Sequence, residues 1–455
     1  MSSNTEEGGT LAEALETAPS SVDHLRSNRI GPYVFPVVEP EYSNWRDEQL
    51  AWREASALLN QSHHMFDLYI EGPDAVDLVA DLGINDFSDF DVYDARQFVA
   101  CNPDGYVIGD AILFFLDEDR LNLVGAPIAP DWVQYNAVTG DYDVSVEMEP
   151  PSHFREGPPS VFRYQIQGPK ALPLMEDATD DELPDVPFFR IGEFTIAGHT
   201  VRGLRHGMTG QPGFELFGPW EHKEDVKGAI VAAGEVHDLH LVGSRAYPTS
   251  AFDKGWLPFP LPAIYDHEEL AGFREWLTTE HIETIASLGG SFESDDVTDY
   301  YMTPYELDYG RLADFDHEFV GRDALEEMDP DGQRTKVSLV WNDEDVADVL
   351  GSTVTDEVPA KDMDYPNIWY FSFQYDQVLG DGDPIGVSKY CTYSQNIRSV
   401  ASLAVIDPEY AEPGTEVSLL WGLGDGGATQ PQAEEHVQTE LGATVHPAPY
   451  FSDET

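Results

Sequence analysis

The 455-residue chain is longer than one hydrophobic core usually supports, and its 41% hydrophobic content, with nine Trp, excludes disorder over most of its length. Its 85 Asp and Glu stand against 24 Lys and Arg, a net charge of −61 that phosphate backbones and anionic lipid would repel, which argues against nucleic acid and membranes as partners. At molar salt the Debye length falls to about 3 Å and the self-repulsion is screened, so the acidity reads as a solvated surface suited to a salty cytoplasm, not as a binding site.

Residues 1–21 are polar and acidic, with neither the basic start nor the apolar centre of a signal peptide. No uncharged apolar run approaches the ~20 residues of a membrane span. The expectation is a soluble, cytoplasmic chain whose first 25 or so residues form a loosely held arm. Asn44 with Asp47 and Glu48 marks a helix start, acids on the positive end of the dipole, and Ala51, Ala55, Leu58 and Leu59 continue it at helical spacing. Residues 65–70 read as a strand. Gly72-Pro73-Asp74 then opens a helix with the apolar stripe Ala75, Leu78, Val79 and Leu82, and Gly83 reads as its left-handed C-terminal residue.

Between 98 and 124 the runs 106–108, 111–116 and 121–124 read as strands, the last two joined by a hairpin at Asp117-Glu118-Asp119. The proline-rich stretch 147–159 marks a boundary loop. Residues 161–167 resume as a strand, and 169–175 and 221–233 as helices, the second ended by Gly234. This alternation predicts a mixed α and β architecture. Beyond Phe319, the runs 337–341, 401–406 and 417–421 are β-rich and predict a terminal barrel or sandwich, with the Gly- and Gln-rich stretch 422–435 as a mobile loop. Cys101 and Cys391 are too few for a disulfide framework and are expected to be reduced and buried.

Phosphate-binding glycine loops and the Gly-x-Ser-x-Gly elbow are absent from the sequence. His237 and His240 are three apart, but no third ligand stands near them, and surface residues are expected. His63-His64 falls at a helix-to-strand junction, where side chains often line a pocket.

Four segments carry more information together than singly. They are Gln61-Ser62-His63-His64-Met65 with Ile70-Glu71-Gly72-Pro73-Asp74-Ala75, then Ile166-Gln167-Gly168-Pro169, His206-Gly207-Met208-Thr209-Gly210-Gln211-Pro212-Gly213-Phe214-Glu215, and Phe319-Val320-Gly321-Arg322-Asp323-Ala324-Leu325. Their order resembles that of the glycine-cleavage T-protein (aminomethyltransferase) superfamily. Within it, Ile30-Gly31-Pro32-Tyr33-Val34-Phe35-Pro36, Ser43-Asn44-Trp45-Arg46, Gly243-Ser244-Arg245-Ala246-Tyr247-Pro248 and Gly255-Trp256-Leu257-Pro258 resemble the tetrahydrofolate-dependent vanillate/3-O-methylgallate O-demethylases. The resemblance runs over about residues 27–449.

It implies the α+β, three-domain T-protein fold with a C-terminal β-barrel-like domain and a central channel for tetrahydrofolate, the methyl acceptor. The domains expected are 1–60 plus 160–240, 61–159 plus 241–312, and 313–455. It also implies transfer of a methyl group from a small methoxylated compound. Such a transfer is a displacement at carbon, helped by alignment of donor and acceptor and by an acid that meets charge developing on the leaving oxygen. On the resemblance, Tyr247 is that acid, a phenol protonated at neutral pH, and His64 orients or relays the proton.

Gln61, Tyr33, Phe35, Ala126 and Trp256 fall on the substrate side, and Glu215, Asp110 and Arg245 on the folate side. Glu215 would accept from the pterin's amide and amino groups. Three departures stand out. Gly109 replaces the first of an acidic pair of the aminomethyltransferases, and Phe35 replaces a tyrosine. Ala126 replaces an arginine that clamps the aromatic carboxylate, unless Arg46, Arg205 or Arg245 fills that space. An aminomethyltransferase-like or sulfonium demethylase, or a non-catalytic folate-binding protein, stay open as alternatives, as do the methyl donor and the oligomeric state.

Overall fold

The computed structural model describes residues 9–31, 35–355, 357–430 and 432–452. Three β systems order the chain. The first is a six-stranded sheet in the order Leu239–Val242, Ser56–Asn60, Val161–Gln167, Gly213–Pro219, His199–Arg205, Ile191–Ile196. Only its first pair is parallel. The second is a five-stranded antiparallel sheet in the order Ala95–Cys101, Val107–Asp117, Arg120–Gly125, Phe66–Glu71, Ser145–Glu149. The third is a closed six-stranded barrel between Thr335–Trp341 and Thr439–Pro447. We propose the three-way domain division of the sequence analysis on this sorting of strands.

The chain leaves the six-stranded sheet at Asn60 and enters the five-stranded sheet at Phe66, so Gln61 through Met65 cross the seam between them. It returns at Val161. The two Gly-Pro motifs follow the far ends of Phe66–Glu71 and Val161–Gln167, away from this crossing. Gly72 has φ 145° and Gly168 φ 128°; a Cβ would lie 2.2 Å from Asp143 O at the first and 2.5 Å from Ala55 O at the second. Only glycine accepts both the dihedral and the contact.

The strand Val161–Gln167 and the hairpin joining Val107–Asp117 to Arg120–Gly125 form as expected. Elsewhere tertiary packing decides. The supposed arm holds two capped helices, Leu11–Thr17 and Ser21–Ser27, with Leu11 and Leu25 fully buried in the main core; residues 1–8 lie outside the described residues. The helix Trp45–Glu54 stops before Ala55, and Leu58 and Leu59 belong to the next strand. Gly83 is extended (φ −102°), not left-handed, and is small because a Cβ would meet the Phe98 ring at 2.9 Å. The runs 106–108 and 111–116 fuse into one strand, since Gly109 stays in register with Ala100. The described parts of the stretch 422–435, all but residue 431, are anchored: Leu423 and Ala433 pack with Phe371, and Gln430 donates to Arg26 O. Cys101 and Cys391 are buried free thiols.

Asp131 and Glu283 form a buried acid pair. Both are almost fully inaccessible, and neither carboxylate oxygen of Glu283 has a hydrogen-bond partner among the described residues. Burial, then the charge of Glu283, raises the Asp131 carboxyl well above its usual value, and burial pushes Glu283 up to about 7. A raised carboxyl favours the folded state fully below its unfolded value near 4.5, and this stability is lost as pH rises through about 7. Glu283→Gln, which mimics the protonated acid, is therefore expected to raise Tm at pH 8 by about 2–4 °C and to change it little at pH 5. Thermal melts at the two pH values check this.

Candidate active site

A single cavity of about 2260 Å³ runs between the two sheets, the seam, the 247–260 segment and the barrel. That volume exceeds the usual 300–1,000 Å³ of a small-ligand site, enough for two ligands side by side.

Tyr247 is presented by a short turn following the strand Leu239–Val242. Its approach is fixed from below by Glu48, which is fully buried. One Glu48 oxygen accepts from the Tyr42 and Ser43 amides (2.7 and 2.8 Å) and the other from the Gly243 amide (2.8 Å). Glu48 thus anchors the loop that leads to Tyr247 rather than answering a helix dipole at the surface.

The Tyr247 hydroxyl sits 3.0 Å from Gln61 Nε2 and 3.1 Å from His64 Nε2, and Met208 Sδ is 3.7 Å away. Phe35 packs edge-on to both rings, with centroids 4.5 Å from His64 and 4.9 Å from Tyr247. Burial first, then Arg163 and His63, pushes the His64 imidazole down to about 3, so it is neutral at working pH. In the tautomer protonated at Nε2, the phenolic oxygen accepts two N–H groups. Such donors stabilise negative charge left on the phenol once its proton has gone.

Glu215 lies on Gly213–Pro219, 3% exposed, on the wall of the same cavity. Its Oε1 accepts from Arg163 at 2.7 Å, and the other arm of Arg163 reaches Asp67 at 2.7 Å. Burial raises the Glu215 carboxyl above its usual value, and the Arg163 guanidinium at 2.7 Å offsets part of that and favours the carboxylate. Its Oε2 has no hydrogen-bond partner among the described residues, which suits a donor edge arriving from the cavity.

Asp110 Oδ2 accepts from Gln97 Nε2 (2.7 Å), Tyr309 OH (2.8 Å) and Trp256 Nε1 (3.3 Å). The indole also reaches Tyr309 OH at 3.0 Å, so Trp256 stands as a fixed panel of the wall. Ala126 is on the wall too. Tyr33 lies outside the described residues.

Arg245 is not at the cavity. Glu41 (3.1 Å) and the Tyr365 carbonyl (2.8 Å) draw its guanidinium to the opposite side of the loop, against Trp45. There it holds the segment that carries Tyr247. Neither Arg46, stacked 4.0 Å over Trp45, nor Arg205, bonded to Gly213 O at 2.8 Å, reaches the wall. None of the three replaces the missing arginine. His237 pairs with Asp177 at 2.7 Å and His240 with Asp238 at 3.5 Å, at the surface.

The motifs give no role to Met208 or Tyr309, and they mark Glu48 only as an acid at a helix start. Met208 stood inside a quoted motif, and only its place beside Gln61 Nε2 (3.0 Å) gives it meaning.

Residues 30–260 match the family model described as the GCVT N-terminal domain. The chain is 44% identical over 442 residues to a syringate O-demethylase from Sphingobium sp. (strain NBRC 103272 / SYK-6), covering 97% of this chain and 96% of that protein. It belongs to the glycine-cleavage T-protein (GCVT) family. Among its GCVT relatives is a sesamin methylene transferase from Sinomonas sp. (strain No.22), 31% identical, with 92% of this chain and 91% of that protein covered. The GCVT fold is also seen in the crystal structure of glycine cleavage system aminomethyltransferase T from Bartonella henselae. It superposes with a TM-score of 0.59 at 17% identity, over 93% of this chain and 94% of that one.

Proposed function

We propose that this GCVT-family chain is a tetrahydrofolate-dependent O-demethylase. It moves a methyl group from a small methoxylated aromatic compound to tetrahydrofolate, giving 5-methyltetrahydrofolate. The observation that carries this reading is one cavity holding both a phenol gripped by Gln61 and His64 and a buried carboxylate with an oxygen open to a ligand.

Tetrahydrofolate supplies the nucleophilic nitrogen that takes the methyl group. Glu215 would bind the donor edge of its pterin, with its carboxyl held by Arg163, which Asp67 in turn holds. Tyr247 would give its proton to the leaving oxygen as the methyl C–O bond breaks, with Gln61 and neutral His64 steadying the phenolate, which is reprotonated by the proton the methylated nitrogen sheds. Phe35, Ala126 and Trp256 shape the donor side, and Asp110 orients Trp256.

The identity to a syringate O-demethylase favours an oxygen-bound methyl over an amine or sulfonium donor. No helix among the described residues is long and apolar enough to cross a membrane. The charge supports a cytoplasmic protein acting on a small molecule, without nucleic acid.

Anaerobic incubation with tetrahydrofolate and a panel of methoxybenzoates, methoxyphenols, methylamines and dimethylsulfoniopropionate tests the reading. Consumption of a methoxylated aromatic with matching methyl-folate is expected. Methyl-folate from the amine or sulfonium alone, or from none, would contradict it.

A further inference from the structure

We propose that Lys254 and Arg311 form a carboxylate-binding subsite at the mouth of the cavity. The wall carries seven acids and five cations, against 85 and 24 in the whole chain, so the negative excess is largely lifted where ligands bind. Three of the five cations are engaged. Arg96 is bonded to Asp86 O and Asp89, Lys336 to Asp308 at 2.7 Å, and Lys389 lies 3.6 Å from the centre of the Tyr375 ring. The Lys254 and Arg311 side chains make no hydrogen bond or ion pair with any described residue.

Both stand on firm supports. Lys254 ends the helix Ser250–Lys254, whose following residue Gly255 is left-handed (φ 66°) and packed so closely that a Cβ would lie 2.7 Å from Pro449 N. Arg311 lies in the turn Gly310–Leu312, two residues beyond Tyr309, which Asp110 and Trp256 hold. Lys254 is half-buried and Arg311 exposed, which sets the pair at the rim. Burial, and then the charges of Arg311 and Lys336, lower the Lys254 ammonium from its usual value, with no acid acting to offset them. An anion between the two cations would relieve this repulsion.

The subsite rests on the proposed reaction, in which a carboxylate has two sources: the glutamyl end of tetrahydrofolate, or a ring carboxylate on the aromatic donor. Equilibrium binding to wild type, Lys254→Met and Arg311→Gln, read by quenching of Trp fluorescence, separates them. The probes are tetrahydrofolate against tetrahydropteroate, which lacks the glutamate, and syringate against 2,6-dimethoxyphenol, which lacks the carboxylate. Wild type is expected to favour the carboxylated member of one pair by about tenfold or more. Both substitutions should erase that preference while leaving the Kd of the carboxyl-free analogue unchanged. The pair that responds names the source. No preference in wild type, or a preference untouched in both variants, overturns the subsite. Methyl transfer is assayed separately, and its absence alongside an intact preference counts against the reaction and not the subsite.

Discussion

Tyr247→Phe is expected to lower kcat by about a hundred- to ten-thousand-fold, the usual worth of a positioned general acid. KM for either ligand should move little, because the ring and its edge contacts to Phe35 and His64 stay in place. The lost hydroxyl leaves His64 Nε2 and Gln61 Nε2 short of a partner, at a cost of roughly 1–3 kcal/mol, which a thermal melt would register as a modest drop. The pH profile adds a second check. With the His64 imidazole held down to about 3, no protonation of His64 should depress activity between pH 5 and 8. A break near 6.5 that disappears in His64→Gln would show a charged imidazole in the working enzyme. Steady-state kinetics over that range decides both points.

The second large effect is expected at Glu215. Glu215→Gln takes the charge from a nearly inaccessible ion pair and leaves Arg163 with Asp67 as its one carboxylate partner. Breaking a buried pair outright costs about 3–5 kcal/mol; with Asp67 still at 2.7 Å and the amide oxygen able to accept, the loss should fall at or below the lower end. Folate binding should weaken about ten- to a hundredfold, the worth of one charge-assisted hydrogen bond. At saturating folate, kcat should be nearly retained, since the Tyr247 cluster does not touch this carboxylate. A fall in kcat as deep as that of Tyr247→Phe, without weaker folate binding, would assign Glu215 a different task. Isothermal titration with tetrahydrofolate, alongside kinetics, separates the two.

The site was legible in the sequence where local motif and local structure coincide. Gln61 and His64 fall on the short crossing between two sheets, and Glu215 alternates inward on a strand whose neighbours pair in simple register. Val161–Gln167 could be bounded because turn residues flank it on both sides. The errors have equally specific causes. At Ala55 a helix passes into a strand without glycine or proline, so Leu58 and Leu59 continue the helical period by coincidence. Leu11 and Leu25 are buried by partners far along the chain, which no local pattern in an acidic segment announces. The direction of the Arg245 guanidinium is set by Glu41 and the Tyr365 carbonyl, partners that its own motif does not contain. Lys254 and Arg311 are brought to one rim only by the fold.

The most direct measurement follows a carbon-13 label in the methoxyl group of the aromatic donor that the panel identifies through anaerobic turnover with tetrahydrofolate, by NMR. The label is expected on the folate nitrogen, one methyl for each phenol released, at a rate that collapses in Tyr247→Phe. Label emerging as methanol or formaldehyde, or passing to folate as quickly in Tyr247→Phe as in wild type, would contradict it.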